Sequence, residues 1–162
     1  KSLQGDTAFL HVLEEMGCRS VEEEDGIKLF PPENAMHGGK FDLSAFSDQA
    51  LTLAVISCFA DSPVTITGIG HIRFQECDRF QAIVSNLTRM GIECEKVDEE
   101  TICIHPGKPK PCEIETFEDH RVAMSFAILG LVTSGIVILN PGCCRKTFET
   151  YFDVLESEIC MG

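Results

Sequence analysis

The chain has 162 residues, an apolar fraction of 44% and a formal net charge of -13, enough for one compact domain or two small subdomains sharing a core. An acidic balance of this size argues against a nucleic-acid partner, because a phosphate track would have to be built against the field of the whole protein, and the sequence holds no basic stripe. Its nine cysteines are odd in number and form no C-x-x-C pair, no secretory signal opens the chain, and the histidines at 11, 37, 71, 105 and 120 are scattered; reduced thiols in a cytoplasmic protein are therefore expected, not a disulfide framework or a zinc site.

In chain order, Phe9, Leu10, Leu13 and Met16 recur at helical spacing, with Asp6 or Thr7 as cap and Gly17 as terminator. CRSVEEED and GIKLFPP read as two strands around an Asp25-Gly26 turn, with the acidic run Glu22 to Asp25 facing solvent. A Pro- and Gly-containing loop leads into KFDLS, where Phe41 and Leu43 alternate with polar residues as in a half-buried strand. Asp48 then opens DQALTLAVISCFA, apolar on nearly every face and so an interior helix, and VTITGI follows as a β-branched strand.

That strand delivers the chain into GIGHIRFQECDRFQAIV, Gly68 to Val84, which crowds Arg73, Glu76, Asp78 and Arg79 together where a strand gives way to a helix. Taken alone, the cluster has two readings. Asp78 and Glu76 can cap the helix and complement its dipole with Arg73 and Arg79 as solvated partners, or the four can form a site.

The sequence then repeats itself. The helix DRFQAIVSNLTRMG ends on Met90-Gly91 as the first ends on Met16-Gly17, and IECEKVDEETICIHPG matches the earlier hairpin. CEIETFEDHRVAMSFAILGLV matches KFDLSAFSDQALTLAVISCFA, and IVILNPGCCRKTFETYF matches VTITGIGHIRFQECDRF. Met16 with Met90, Asp48 with Asp119, Arg73 with Arg145 and Phe80 with Phe152 all keep a period of roughly 72 residues, the mark of one supersecondary unit used twice. In circular order the unit reads βαβαββ. The uncharged run Val122 to Asn140 approaches membrane-spanning length, but its Thr133-Ser134-Gly135 interruption divides it into buried helix, turn and strand.

Each copy starts its buried helix with an aspartate, Asp48 or Asp119, and follows its next strand with charged residues. Converging helix starts flanked by Arg79, Arg121 and Lys146 make a ready anion site, a local exception in an acidic chain. Cys77, Cys143 and Cys144 near such starts are read as packing thiols, and His120 either neighbours a ligand or is a hydrogen-bonded structural histidine.

Four motifs, SDQALTLAV, GIGHIRFQECDR, FEDHRVAMSFA and NPGCCRKTFETYFDVLE, together resemble the C-terminal part of the 5-enolpyruvylshikimate-3-phosphate synthases, the 3-phosphoshikimate 1-carboxyvinyltransferases of the enolpyruvyl transferase family. The resemblance covers nearly the whole chain and implies an α/β (α+β) fold, the inside-out α/β barrel of βαβαββ units. Residues 1-162 would form part of one domain, two of its three units, with approximate repeats 1-72 and 73-162 and the family's N-terminal half absent. It further implies transfer of the enolpyruvyl group of phosphoenolpyruvate to the 5-hydroxyl of shikimate 3-phosphate, with no metal or organic cofactor and no membrane partner. The isolated piece is expected to be inactive without its other half, and to be able to pair as a homodimer through the truncated edge.

By resemblance, Asp48 is the carboxylate that contacts and deprotonates the hydroxyl, Glu76 the acid and base at the methylene carbon, and Lys146 an aid to proton transfer. Arg79, Arg121 and Lys146 would bind phosphoenolpyruvate, a task suited to bidentate guanidinium groups. Two carboxylates in different environments can divide a deprotonation from a protonation. On the shikimate side the chain departs from the pattern: Gln75 stands where a lysine is frequent and His71 where some members have asparagine, and Glu149 replaces a usual proline. Two alternatives accompany this expectation: a non-catalytic anion-binding or assembly module that keeps the fold, and an enolpyruvyl transferase for another acceptor such as UDP-N-acetylglucosamine.

Overall fold

The structure is a computed structural model that describes residues 5–159. A helical turn at Gly5–Ala8 runs into helix α1, Phe9–Glu15, and strands β1, Arg19–Glu22, and β2, Ile27–Phe30, form the expected antiparallel hairpin. Strand β3, Gly39–Asp42, leads through the short 3-10 turn Ser47–Gln49 into helix α2, Ala50–Ser57. Strand β4, Val64–Thr67, and a 3-10 turn at Gly70–Phe74 precede helix α3, Arg79–Arg89. Strands β5, Cys94–Lys96, β6, Ile102–Ile104, and β7, Cys112–Ile114, follow. Helix α4, His120–Ala127, a helical turn at Ile128–Leu131, strand β8, Ile136–Ile138, a 3-10 turn at Pro141–Lys146 and helix α5, Tyr151–Ile159, complete the described chain.

The repeat is visible in the topology. Strands β3, β4, β6 and β5, in that spatial order, form a four-stranded sheet in which β3 and β4 are parallel and β6 is antiparallel to both neighbours. Residues 39 to 104 thus spell β-α-β-α-β-β in full. The hairpin β1-β2 corresponds to β5-β6, and the parallel pair β7-β8 to β3-β4; each stands as a separate two-stranded sheet.

Helix ends confirm the correspondence. Gly17 at φ +100° and Gly91 at φ +77° terminate α1 and α3 in the left-handed region that glycine enters freely. The amides of Gly17 and Cys18 return to the carbonyls of Glu14 and Leu13, and those of Gly91 and Ile92 to Thr88 and Leu87, each at 2.9 Å. The preceding methionines, Met16 and Met90, are fully buried, and their carbonyls accept from His37 N and Lys110 N at 2.8 and 2.9 Å.

Helix α2 buries Ala50, Leu51, Leu53, Ala54 and Val55, as a sequence apolar on nearly every face requires. It packs with Val64 and Ile66 of β4, Ile102 and Ile104 of β6, and Phe80, Ile83 and Leu87 of α3 in one continuous core. The uncharged run from Val122 resolves into α4, turn and β8, and among the described residues no helix is long and apolar enough to cross a membrane.

The segment between β7 and α4 decides where the second repeat's functional residues point. Phe117 and Glu118 both take positive φ, 52° and 58°, a strained choice for two consecutive residues other than glycine. Asn86 of α3, fully buried, clamps the start of that turn: its Nδ2 donates to the Glu115 carbonyl at 2.9 Å and its Oδ1 accepts from Glu115 N at 3.1 Å. The turn then closes with Asp119 N on the Thr116 carbonyl at 2.9 Å. Replacing Asn86 by leucine, similar in volume but unable to make either bond, is expected to lower stability in urea unfolding by about 1–3 kcal/mol. A change below about 0.5 kcal/mol, the range of an ordinary surface substitution, would show that the clamp does not hold the turn.

Candidate active site

Four element starts converge: the turn Ser47–Gln49 before α2, the turn Gly70–Phe74 and first residue of α3, the start of α4, and the turn Pro141–Lys146. At their centre Arg79 is only 4% exposed. Its Nε donates to Asp119 Oδ2 at 2.7 Å and its Nη2 to Asp119 Oδ1 at 3.3 Å. Asp119 is itself fully buried and caps α4 by accepting from Arg121 N at 2.8 Å. The pair is a two-pronged, charge-assisted contact that fixes the guanidinium plane. The sequence marks Arg79 for the site but treats Asp119 only as a helix start; its repeat partner Asp48 is the one signal that could have promoted it.

Asp48 opens the approach to α2 as expected but does not act as a cap. Its Oδ1 accepts from Arg79 Nη1 at 3.0 Å and from Gln75 Nε2 at 3.3 Å, and its Oδ2 lies 2.9 Å from Arg121 Nη2. Gln75 closes the circuit by accepting from Arg79 Nη1 at 2.5 Å. Both guanidinium groups thus rest on the two oxygens of one carboxylate.

A second cluster adjoins the first. Glu76 Oε1 lies 2.8 Å from Lys146 Nζ, and Glu76 Oε2 lies 3.0 Å from His120 Nδ1. The Lys146 hydrogen bond holds the Glu76 carboxyl below its ordinary value against the opposing effect of partial burial, and Glu76 in turn raises Lys146. Burial alone would push Asp119 up, but the hydrogen bond and charge of Arg79 outweigh it, leaving that carboxyl lowered. His71 faces the Asp48 side, with its Nε2 2.6 Å from Ser47 Oγ. Ser44, Phe46, Ser47, Asp48, His71 and Gln75 line a cleft there of about 240 Å³.

All the site residues expected from the sequence, Asp48, His71, Gln75, Glu76, Arg79, Arg121 and Lys146, are therefore gathered at these junctions. The alternative of solvated arginines fails: Arg79 is buried, and the Arg73 guanidinium lies over the Phe80 ring at 3.8 Å. Asp78 keeps the capping role, accepting from Gln81 N at 2.9 Å. The cationic focus is also corrected, because each of its three cations meets a carboxylate: Arg79 and Arg121 meet Asp48, and Lys146 meets Glu76.

Ligand atoms of Glu76, Asp119 and His120 lie within 4.8 Å of one another. Arg79 and Lys146 already engage the oxygens of the two carboxylates, a donor set that opposes a divalent cation. The eight cysteines among the described residues are free thiols, and Cys160 lies outside them. Burial pushes Cys77 and Cys144 up to about 12, as suits packing thiols.

Comparison with known proteins supplies independent findings. The family model described as EPSP synthase (3-phosphoshikimate 1-carboxyvinyltransferase) matches residues 1–155. A 3-phosphoshikimate 1-carboxyvinyltransferase of Nostoc punctiforme is 45% identical over 152 residues, covering 94% of this chain and 35% of that protein. The chloroplastic enzyme of Brassica napus is 38% identical over 162 residues, covering 96% and 31%. An EPSP synthase structure from Acinetobacter baumannii superposes with a TM-score of 0.79 at 26% identity, over 92% of this chain and 38% of that one. The enolpyruvyl transferase NikO of Streptomyces tendae shares the fold, with a TM-score of 0.70 at 20% identity over 91% and 34%. The chain spans about a third of the length of the curated relatives it matches.

Two expectations follow from the geometry. Asp119→Asn leaves the buried Arg79 without its full counter-charge, and a loss of about 3–5 kcal/mol in denaturant unfolding is expected; a loss under about 1 kcal/mol, the range of an exposed ion pair, would show that Asp48 alone suffices. For Glu76 the sign is set by a folded value lowered from 4.5: its contribution is present above that ordinary value and disappears as pH falls through the lowered one. Lys146→Met should therefore move the Glu76 carboxyl titration, followed by carbon NMR, upward, and an unmoved midpoint would remove Lys146 as the cause.

Proposed function

This chain belongs to the EPSP synthase (3-phosphoshikimate 1-carboxyvinyltransferase) family, and from that premise we propose that it supplies one face of an enolpyruvyl transfer site. The reaction is transfer of the enolpyruvyl group of phosphoenolpyruvate to the 5-hydroxyl of shikimate 3-phosphate with release of phosphate, a step of the shikimate pathway to aromatic amino acids. The single observation that carries this reading is the sharing of Asp48 by Arg79 and Arg121, beside a Glu76 held by Lys146.

The anion of phosphoenolpyruvate replaces Asp48 on the two guanidinium groups, while Asp119 keeps Arg79 in place through the exchange. Asp48, released, takes the proton of the hydroxyl whose oxygen attacks carbon 2. Lys146 turns from Glu76 towards the phosphate, and the loss of its charge allows Glu76 to carry the proton that is delivered to the methylene carbon. Elimination reverses this last transfer: the methyl carbon returns a proton to Glu76, the carbon–oxygen bond to phosphate breaks, and the departing phosphate takes up the proton that Asp48 removed from the hydroxyl, with Lys146 assisting, so that hydrogen phosphate leaves and both carboxyl groups return to their starting states. No cofactor enters these steps. His71 and Gln75 serve the acceptor side through hydrogen bonds.

The opposite face of the cleft comes from the portion of the relatives that this chain does not span, which makes that complementary portion the obligatory partner; the open strand edges also support self-association. Free thiols suit the cytoplasm. Gln75, which supplies no charge where the resemblance has a frequent lysine, supports a second reading, enolpyruvyl transfer to a different hydroxyl, which an acceptor screen with the reassembled protein separates from the first.

Phosphate release should be negligible for the chain alone and appear when it is mixed with the N-terminal portion of a relative such as the Nostoc enzyme, since both substrates must be held by both halves. In that complex Arg121→Met should lower kcat/KM by roughly 100-fold or more, the scale for a group that stabilises charge in the transition state. No release from a demonstrably reassembled complex would overturn the proposal.

A further inference from the structure

Among the described residues, the Asp48 carboxylate is held by three side chains: its Oδ1 accepts from Arg79 Nη1 at 3.0 Å and from Gln75 Nε2 at 3.3 Å, and its Oδ2 lies 2.9 Å from Arg121 Nη2. The 3-10 turn Ser47–Gln49 that carries it has no side-chain cap to tie it down. Arg79 and Arg121 are the groups that an entering anion takes. An aspartate freed of both rotates about its side-chain bonds unless something else holds it, and a base that wanders loses the alignment that proton transfer needs.

Gln75 is the remaining partner, and an amide suits the place for an electrostatic reason. Its Oε1 accepts from Arg79 Nη1 at 2.5 Å while its Nε2 donates to Asp48. The reverse orientation would turn an NH2 group towards a guanidinium and an oxygen towards a carboxylate, so the charges on either side fix which way the amide points. Each terminal nitrogen of a guanidinium carries a pair of hydrogens; on Nη1 of Arg79 one is directed to Asp48 Oδ1 and the other to Gln75 Oε1. When an anion takes the first, the second stays where it is. Arg79 is fixed from behind by the buried Asp119, on Nε and Nη2, so its hold on Gln75 survives the exchange.

We propose that Gln75 is a positioning residue that keeps Asp48 in place after both arginines have left it, the rigidity of the buried pair passing from Asp119 through Arg79 and Gln75 to the base. The inference rests on the exchange proposed above, in which the anion of phosphoenolpyruvate displaces Asp48. It also divides the work of the carboxylate: Oδ1 stays on Gln75 Nε2, and Oδ2, vacated by Arg121, takes the proton of the hydroxyl. A glutamate at position 75 would keep the acceptor for Arg79 but set a like charge against Asp48. A lysine would keep the donor for Asp48 but set a like charge against Arg79. The neutral amide bridges cation and anion at once, and its second Nε2 hydrogen remains for the acceptor substrate.

The test uses this chain reassembled with the N-terminal portion of the Nostoc relative. Gln75 is exposed, so Gln75→Met leaves the core untouched. In that variant kcat and kcat/KM for phosphoenolpyruvate should fall together by roughly 100-fold, the scale of a misplaced reacting group, with KM unchanged, and Gln75→Glu should do no better. Full activity of Gln75→Met, or a loss carried by KM alone, would overturn the proposal. A second readout needs no turnover: the side-chain amide hydrogens of Gln75, followed by nitrogen NMR, should stay protected from exchange with water when phosphoenolpyruvate is added, and should lose that protection in Asp48→Ala. Arginine side-chain resonances that move on addition while the Gln75 amide becomes free overturn this inference alone. Arginine resonances that do not move overturn the exchange itself and this inference with it. Should Gln75→Met fail to assemble, the amide readout on the unmodified chain decides.

Discussion

The buried contact between Arg79 and Asp119 is the constraint on which the site depends. Two buried charges are tolerable only with full hydrogen bonding, and here Arg79 Nε and Nη2 and the Arg121 amide all donate to Asp119 while Arg79 Nη1 donates to Asp48 and Gln75. Because Asp119 also caps α4, the contact ties the first residue of α3 to the start of α4, that is, one repeat to the next. The Asn86 clamp and the left-handed turn at Phe117 and Glu118 set the backbone so that Asp119 arrives beneath Arg79. Stability and site geometry are therefore controlled by the same few residues.

A consequence is that the cations of the site are not equivalent. Arg79 has one partner, Asp119, that no ligand can reach, and a second, Asp48, that faces the cleft. Arg121 and Lys146 hold only cleft-facing carboxylates, Asp48 and Glu76. On the proposed reading, an entering anion would have to exchange with carboxylates already present, so its binding would be less favourable than attraction to bare cations. On the proposed reaction, the same exchange would free Glu76 from the cation that lowers it, linking anion arrival to acid–base competence.

Much of this was legible in the sequence because the repeat gave every local signal a second instance. Met16-Gly17 with Met90-Gly91, the two hairpins, and the apolar runs after Asp48 and Asp119 settled element type where a single short segment would have been ambiguous. The residues of the site were legible through spacing and family likeness. Their partners were not. Nothing in FEDHR distinguishes an aspartate that caps a helix from one that also neutralises a buried arginine forty positions earlier in the chain, because that depends on how α3 packs on α4. For the same reason the sequence does not show what Asp48 touches: the start of α2 is a 3-10 turn, and the carboxylate turns outward to Gln75 and the two arginines.

The repeat also shows that the two charged junctions are held differently. In each copy the charged junction follows the second strand of the parallel pair, β4 in one and β8 in the other, and that strand is the one that accepts the antiparallel hairpin. Around β4 the hairpin β5-β6 is present, and the Gly70–Phe74 turn rests on it: Ile69 N donates to the Glu100 carbonyl at 3.2 Å, and Arg73 Nε to the Glu99 carbonyl at 3.3 Å. Glu99 and Glu100 belong to the loop joining β5 and β6. Behind β8, the turn that carries Lys146 has no such loop to lean on among the described residues. Lys146 is accordingly the most exposed of the three cations, at 57% of its side chain against 5% for Arg79.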